Sequence, residues 1–402
     1  MKITIHRGQG QIGGNIIEIA SQNTRIILDV GETLLPVEFH SYPVVEGLFD
    51  AKNVIDAILI SHYHSDHSGL LDKVDPNIPV YMAEKAYRIL LASNEYRNIQ
   101  TVLDPIFYYN QVQVIFNDLI VTPYRCDHSA YDAYMFLIES EGKSVLYTGD
   151  FRANGRLDFD ALMRKLPQVD VLIIEGTTLS REGRIDNIDE ELLEDIAIRN
   201  LDQYTGPAFI LMSAMNIERV ITAYNAALKT RRVFLEDLYT ASVASAAGIT
   251  IPNPKSNDNV RVFVTDNNLE RYKQLNQYGK SKISRSSIAK TNYLMCIRPS
   301  MRAYLEKLNK IQSFENGILF YGMWKGYQTQ PGMKEFLDFM QSKGLKLQTL
   351  HTSGHADPLT IDQLIASTAP KIIMPVHTEN VHWFERYSDN ITIISDLKVF
   401  EF

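Results

Sequence analysis

Short apolar runs separated by turn residues dominate the first 170 positions. MKITIHRG, NIIEIAS, TRIILDVG, VIDAILIS, VYMA, QVQVIF, LIVTPYRC, AYMFLIES, SVLYTGD and VDVLIIEG are rich in Val, Ile, Leu, Tyr and Phe, with Gly13–Asn15, Ser21–Asn23, Asn117–Asp118 and Gly142–Lys143 marking gaps between them. That texture predicts a sheet-rich segment with few helices. After about residue 184 the period lengthens. IDEELLEDIAIRN, IERVITAYNAALK and RAYLEKLNKIQ place apolar residues at helical spacing and alternate with strand-like AFILMSA and RRVFLED, which predicts an α/β unit. Beyond Gly332 the pattern predicts a helix MKEFLDFMQSKG stopped by Gly344, a strand LKLQTLH, a helix DPLTIDQLIAS with Asp357 as N-cap and Pro358 at its first position, and a strand KIIMPVH. No internal repeat or low-complexity tract interrupts this order.

A chain of 402 residues, 45% apolar and 22% charged, has ordinary globular composition and length enough for two or three domains. No apolar run approaches the roughly 18–20 residues that span a bilayer, and MKITIHRGQG carries no apolar leader, so neither secretion nor a membrane partner is expected. Two cysteines, Cys126 and Cys296, cannot build a disulfide framework, and a cytoplasmic location is expected. The net charge of −8 argues against a polyanion partner, but it hides a local excess: between Arg261 and Lys310 eleven Lys and Arg face three acids, Asp266, Glu270 and Glu306. Such a block reads as a solvated helical face unless a neighbouring site calls for a polyanion.

The ten histidines carry the chemistry. Three of them fall in His62-Tyr63-His64-Ser65-Asp66-His67, directly after the apolar VIDAILIS. Alternate side chains of an extended turn point the same way, so His62 and His64 reach one ion while Asp66 and His67 reach a second. His128 after LIVTPYRCD, Asp150 after SVLYTG and His377 after KIIMPV end strands in the way His62 does. A carboxylate such as Asp150 bridges two cations with its two oxygens, which an imidazole cannot do. Cys126, two positions before His128, reads as buried strand filler rather than a ligand.

These motifs resemble those of the metallo-β-lactamase fold. Asp29 in RIILDVG, the HxHxDH turn, His128 and Asp150 in YTGD match that fold's successive motifs. Glu175 in DVLIIEGTT, His355 in HTSGHADP and His377 in MPVHTEN resemble motifs A, B and C of the β-CASP nucleases, the group of RNase J and the polyadenylation cleavage factors. The resemblance implies an α/β fold, an αββα metallo-β-lactamase sandwich with an inserted α/β β-CASP domain. Residues 1–200 and 341–402 would form the sandwich and 201–340 the insert. It also implies two zinc ions per chain. His62, His64 and His128 would hold one, Asp66, His67 and His377 the other, Asp150 would bridge, and Asp29 would orient a ligand or the loop.

The activity implied is zinc-dependent hydrolysis of RNA phosphodiester bonds, endonucleolytic, 5′ exonucleolytic or both. Asp66, His355, Glu175 and Asp29 are the catalytic candidates. The metals would turn water into hydroxide, while His355, steadied by Glu175, protonates the leaving oxygen. A histidine at motif C, His377, matches the RNA-processing members, and His351 and Ser353 in HTSGH resemble residues that touch substrate phosphate, just ahead of the helix starting at Asp357. The partner implied is single-stranded RNA, with a homodimer as the assembly to look for. A small-molecule hydrolase of lactonase or thioesterase type, or a DNA nuclease, is the alternative on the same fold. A long insert with a basic block disfavours the small substrate. In the RNA reading, residues 261–310 become a backbone track, with Tyr272, Tyr278 and Tyr293 as stacking candidates against a default of core packing. For the YGMWKGYQ tract the default is packing at the domain junction, with contact to a base as the alternative.

Overall fold

A computed structural model describes residues 1–34, 43–50, 52, 54–181, 187–265, 268–389, 391–393 and 399–402. Among these, the apolar runs of the first segment, joined by three strands from residues 372–401, form two seven-stranded sheets. One is ordered Phe400–Glu401, Lys2–Arg7, Ile16–Ala20, Arg25–Leu28, Ala57–Leu59, Val80–Ala83, Ile106–Tyr108; the other Thr392–Ile393, Ile372–Val376, Val171–Glu175, Lys143–Tyr147, Ala133–Ser140, Leu119–Cys126, Val114–Phe116. Strand alternation sorts their side chains. Phe136, Ile138, Val145 and Ile173 of the second sheet share a core with Ile17, Ile19, Ile27 and Ile58 of the first. Their neighbours Leu137, Leu146, Leu172 and Ile174 face the opposite way, onto Phe159, Leu162, Ile361 and Leu364 of two covering helices. The helix Glu84–Tyr96 packs on Val80–Ala83 of the first sheet and buries Ala86 and Ile89 in its core, and the fold is the αββα sandwich that the resemblance implies.

The third sheet takes all its strands from one stretch of chain, ordered Val260–Phe263, Val233–Asp237, Tyr293–Ile297, Ala208–Leu211, Ile318–Tyr321, Lys346–Thr349, and every neighbouring pair is parallel. Helices bury both faces, so strands such as AFIL and ILFY are apolar throughout rather than alternating. The strand Lys346–Thr349 pairs with Ile318–Tyr321 and belongs to this sheet.

Two elements lie outside the sequence expectations for physical reasons. The helix Glu84–Tyr96 starts on Ala83, which offers no capping side chain, so it carries no start signal. The helix Leu238–Ala247 is apolar on nearly every side and has no amphipathic period to detect. No helix among the described residues is long and apolar enough to cross a membrane.

Candidate metal centre

Strand ends from both sheets of the sandwich converge on one buried cluster. His62 follows Ala57–Leu59, His128 follows Leu119–Cys126, Asp150 follows Lys143–Tyr147, Glu175 ends Val171–Glu175 and His377 follows Ile372–Val376. Donor atoms of His62, His64 and His128 lie within 4.8 Å of one another, as do those of Asp66, His67, Asp150 and His377. A third group joins Asp150, Glu175, His355 and His377 at the same spacing. The backbone is bent to achieve this: Asp29 and His377 adopt left-handed φ of 59° and 51°, a costly conformation for a histidine. His377 N donates to Gly8 O at 2.6 Å, which holds the turn. Gly31 lets the HxHxDH turn approach, since a Cβ there would sit 1.8 Å from Asp66 O.

Asp150 tests whether the cluster suits a cation. It is buried, neither oxygen has a hydrogen-bond partner, and Oδ2 lies 3.2 Å from His67 Nε2 and 3.8 Å from a ring nitrogen each of His62, His128 and His377. A buried carboxylate without a hydrogen bond is costly. The buried Nε2 atoms of His62 and His67 lack partners as well. Imidazoles and carboxylates with free lone pairs around one bridging oxygen fit zinc-type ligation, so the residues present suit the metal.

Other groups fix which nitrogen each ring presents. His67 Nδ1 donates to Asp29 Oδ2 at 2.7 Å, and Asp29 also accepts from Ser61 N, Ser61 Oγ and Tyr147 Oη. His377 Nδ1 meets Thr177 Oγ1 at 2.7 Å, and that hydroxyl donates to Glu175 Oε2 at 2.6 Å. His128 Nδ1 donates to Gly354 O. Each of these three rings thereby turns Nε2 inward, as metal-binding histidines do. Burial pushes His62, His64 and His128 down, His64 to about 4, so these rings are neutral with lone pairs available. Burial also disfavours charge on His67, but Asp150 and Asp29 outweigh it and hold its pKa well above the usual histidine value. A cation between His67 and Asp150 would take the place of that proton.

His355 stands beside the cluster with its side chain 19% exposed, Nδ1 3.2 Å from Glu175 Oε2 and 3.6 Å from Asp150 Oδ2. Burial works against its charge, yet Glu175 and Asp150 together raise its pKa. Glu175 is itself held by Phe151 N, Thr177 N and Thr177 Oγ1. Ser353 Oγ accepts from His355 N, and His351 lies under Gly322, driven by burial to about 4 and hence neutral at pH 7.

A cavity of 2120 Å³ opens over the cluster, lined by His64, Asp66, His351, Ser353, His355 and His377. Small-molecule sites occupy roughly 300–1,000 Å³. Its other wall comes from the third sheet, whose strand ends feed Ser213–Asn216, Gly322–Tyr327 and His351–His355 into it. Tyr63 ties the two walls together: its hydroxyl donates to Met215 O at 2.6 Å and accepts from Tyr131 N.

The basic block lies elsewhere. None of the described residues of 261–310 lines the cavity, whose described cations are Lys73, Arg97, Arg181 and Lys325. Arg298 pairs with Asp237, Lys273 with Glu270, Lys280 with Asp258 and Arg302 with Glu306, while Asp266 lies outside the described residues. Tyr278 and Tyr293 are core residues; only Tyr272 is exposed. Pairing removes little of the excess, since Glu270 and Glu306 belong to the block and, among the described residues, only Asp237 and Asp258 add counter-charge from outside it; what separates the block from the site is its place off the cavity. Cys126 is buried with its thiol pushed up by burial, outside every ligand cluster, as expected. Arg181 on the cavity wall is the feature that sequence patterns leave unassigned, and Trp324 and Tyr327 of the YGMWKGYQ tract are exposed on that wall.

Residues 24–235 match the model of the beta-lactamase superfamily domain. An RNase J-like protein of Methanocaldococcus jannaschii is 24% identical over 99% of this chain and 96% of its own length. Ribonuclease J 1 of Streptococcus pyogenes is 22% identical over 92% of this chain and 67% of its own. Among solved structures, a protein of unknown function from Enterococcus faecalis superimposes with a TM-score of 0.83 at 21% identity, covering 99% of both chains, which is a likeness of fold.

Proposed function

The chain belongs to the beta-lactamase superfamily, in its β-CASP nuclease branch, and from that membership we propose that it is a ribonuclease working with two zinc ions and a histidine acid. The observation that carries the reading is Asp150, a buried carboxylate without a hydrogen bond amid inward-turned imidazoles. His62, His64 and His128 would hold one ion, Asp66, His67 and His377 the other, with Asp150 between them. Bound there, the metals would supply a water acidic enough to lose its proton near neutral pH, and positive charge for the phosphoryl oxygens.

The chain's own residues do the rest. A ribose oxygen leaving phosphorus is strongly basic and needs a proton. His355 is suited to give it: Glu175 takes Nδ1, which leaves Nε2 for the substrate, and the carboxylate at 3.2 Å favours the protonated ring. Asp29 holds His67, and the Glu175–Thr177–His377 chain holds both the acid and a ligand through one carboxylate. His351, as a neutral ring, and Ser353 offer hydrogen bonds to substrate phosphate without adding charge.

The cavity's size and its second wall favour a polymer over a small ester. In this reading residues 1–200 and 341–402 form the metal-binding unit and 201–340 an insert that walls the substrate path, with Lys346–Thr349 extending the insert's sheet. The partner is single-stranded RNA, and the two free, buried cysteines suit a reducing cytoplasm. The test is to give zinc-loaded protein one RNA labelled in turn at each end, beside a DNA strand of the same sequence, a thioester and a lactone. RNA fragments are expected; turnover of the thioester or lactone with RNA intact overturns the proposal.

A further inference from the structure

Trp324 and Tyr327 are unusual among the large aromatics of this protein. Their side chains are not taken up by a core: Trp324 is 44% and Tyr327 39% exposed, and both line the cavity that holds His355 and His377. The rings stand perpendicular, with centroids 5.4 Å apart at 89°. The loop beneath is fixed by Tyr321 Oη and Tyr327 N, both donating to Trp324 O at 3.1 Å. Gly326 permits the arrangement, because a Cβ there would lie 2.2 Å from the indole ring, which rests directly on the backbone.

Arg181 completes the group. Its guanidinium lies over the Trp324 ring, 5.6 Å from the centroid, and donates from Nη1 to Ser353 Oγ at 3.4 Å. Among the described residues no carboxylate lies within ion-pair distance of it. A half-buried guanidinium facing a cavity, with no described carboxylate in ion-pair contact, suits an anionic ligand, and its fork matches a phosphate. Ser353 Oγ also accepts from His355 N, so an anion on Arg181 sits next to the proposed acid. Lys325, exposed on the same loop, adds positive charge at the rim.

We propose that Trp324, Tyr327 and Arg181 form a nucleotide subsite, in which a base of single-stranded RNA stacks on the indole while Arg181 grips the phosphate beside it. The subsite deepens the ribonuclease reading and rests on it. Stacking tolerates any base, because every base presents a π-face, so it selects unpaired nucleic acid rather than a sequence. A paired base, already stacked on its neighbours, gains nothing there.

The test uses the zinc-loaded full chain, an RNA oligonucleotide of mixed sequence, and the same oligonucleotide with one abasic ribose at each position in turn. Trp324→Ala is expected to raise KM for intact RNA about tenfold with kcat changed by less than about threefold, and Trp324→Phe to recover most of the loss. One abasic position is expected to weaken binding to the unmodified protein by the same factor, and on that RNA Trp324→Ala adds no further loss. Arg181→Gln is expected to weaken intact and abasic RNA alike and to reduce the salt dependence by about one phosphate contact. An unchanged KM in Trp324→Ala, or equal losses on intact and abasic RNA, overturns the subsite while leaving the ribonuclease reading in place. Absence of any RNA binding or cleavage by the unmodified protein overturns both.

Discussion

Replacing Glu190 with glutamine removes one charge from the most deeply buried ionic group joining the sandwich to the third sheet. Glu190 is fully buried and accepts from Arg152 Nη1, Arg219 Nε, Arg219 Nη2 and Thr222 Oγ1. Arg152 is shared with Asp127, so the group holds two guanidiniums against two carboxylates, and the variant leaves one buried positive charge uncompensated. Breaking a buried pair in this way costs about 3–5 kcal/mol. The titration of the same carboxyl agrees: burial alone would raise its pKa, but Arg219 and Arg152 draw it from an ordinary 4.5 to about 2, a difference worth about 3 kcal/mol. A depressed carboxyl stabilises the fold above its unfolded pKa and ceases to do so as pH falls through its folded value. The deficit of Glu190→Gln is therefore constant from pH 7 to about 5 and shrinks between about 4.5 and 2. Urea unfolding followed by tryptophan fluorescence measures it at each pH. A double replacement of Glu190 and Arg219 by methionine, which leaves no charge stranded, should recover much of the loss. A deficit below about 1 kcal/mol at pH 7, or one that persists unchanged at pH 3, refutes the reasoning. The consequence reaches the site, because Arg219 Nη1 donates to Gly322 O and Leu350 O, the backbone just ahead of Trp324 and His351.

His355→Ala is expected to lower kcat on RNA by about 10²–10⁴ with zinc content intact, and to spare a nitrophenyl phosphodiester whose leaving group needs no proton; equal losses on both substrates would mean that His355 does not act as the acid. Asp29→Ala should weaken zinc binding by about 10- to 100-fold, read by competition with a chelator, since His67 loses the partner that orients it, and unchanged affinity would show that the ring holds its position unaided. Asp150→Ala should abolish retention of the metal pair, and elemental analysis returning two ions per chain would contradict its bridging place. Charge reversal at Lys280 and Lys282, which lie outside the cavity, should weaken RNA binding less than Arg181→Gln does; the opposite ranking would restore residues 261–310 as the track.

Donors at strand ends were readable because the signal is local: an apolar run places the strand, and the next polar residue is delivered to its end. His62, His128, Asp150 and His377 are all of this kind. The pairing of Glu175 with His355 followed from motif resemblance and stands at 3.2 Å although 180 positions separate them. Arg181 was not readable, because its meaning arises only where it meets Ser353, 172 positions away, and Trp324. Charge summed along a sequence cannot register that Arg298 turns inward to Asp237, or that Tyr293 ends in a core. For Trp324 the sequence offered packing as the default and base contact as the alternative, and its exposure on the cavity wall became visible only with the fold in place.

The central claim is a ribonuclease that depends on a metal pair, and titrating zinc into metal-free protein while following RNA cleavage tests it most directly. The account predicts no cleavage without metal, activity that climbs with zinc and levels off at two ions per chain, and no such recovery in Asp150→Ala. Full cleavage by the metal-free protein, or a zinc-loaded protein that leaves RNA intact, would contradict it.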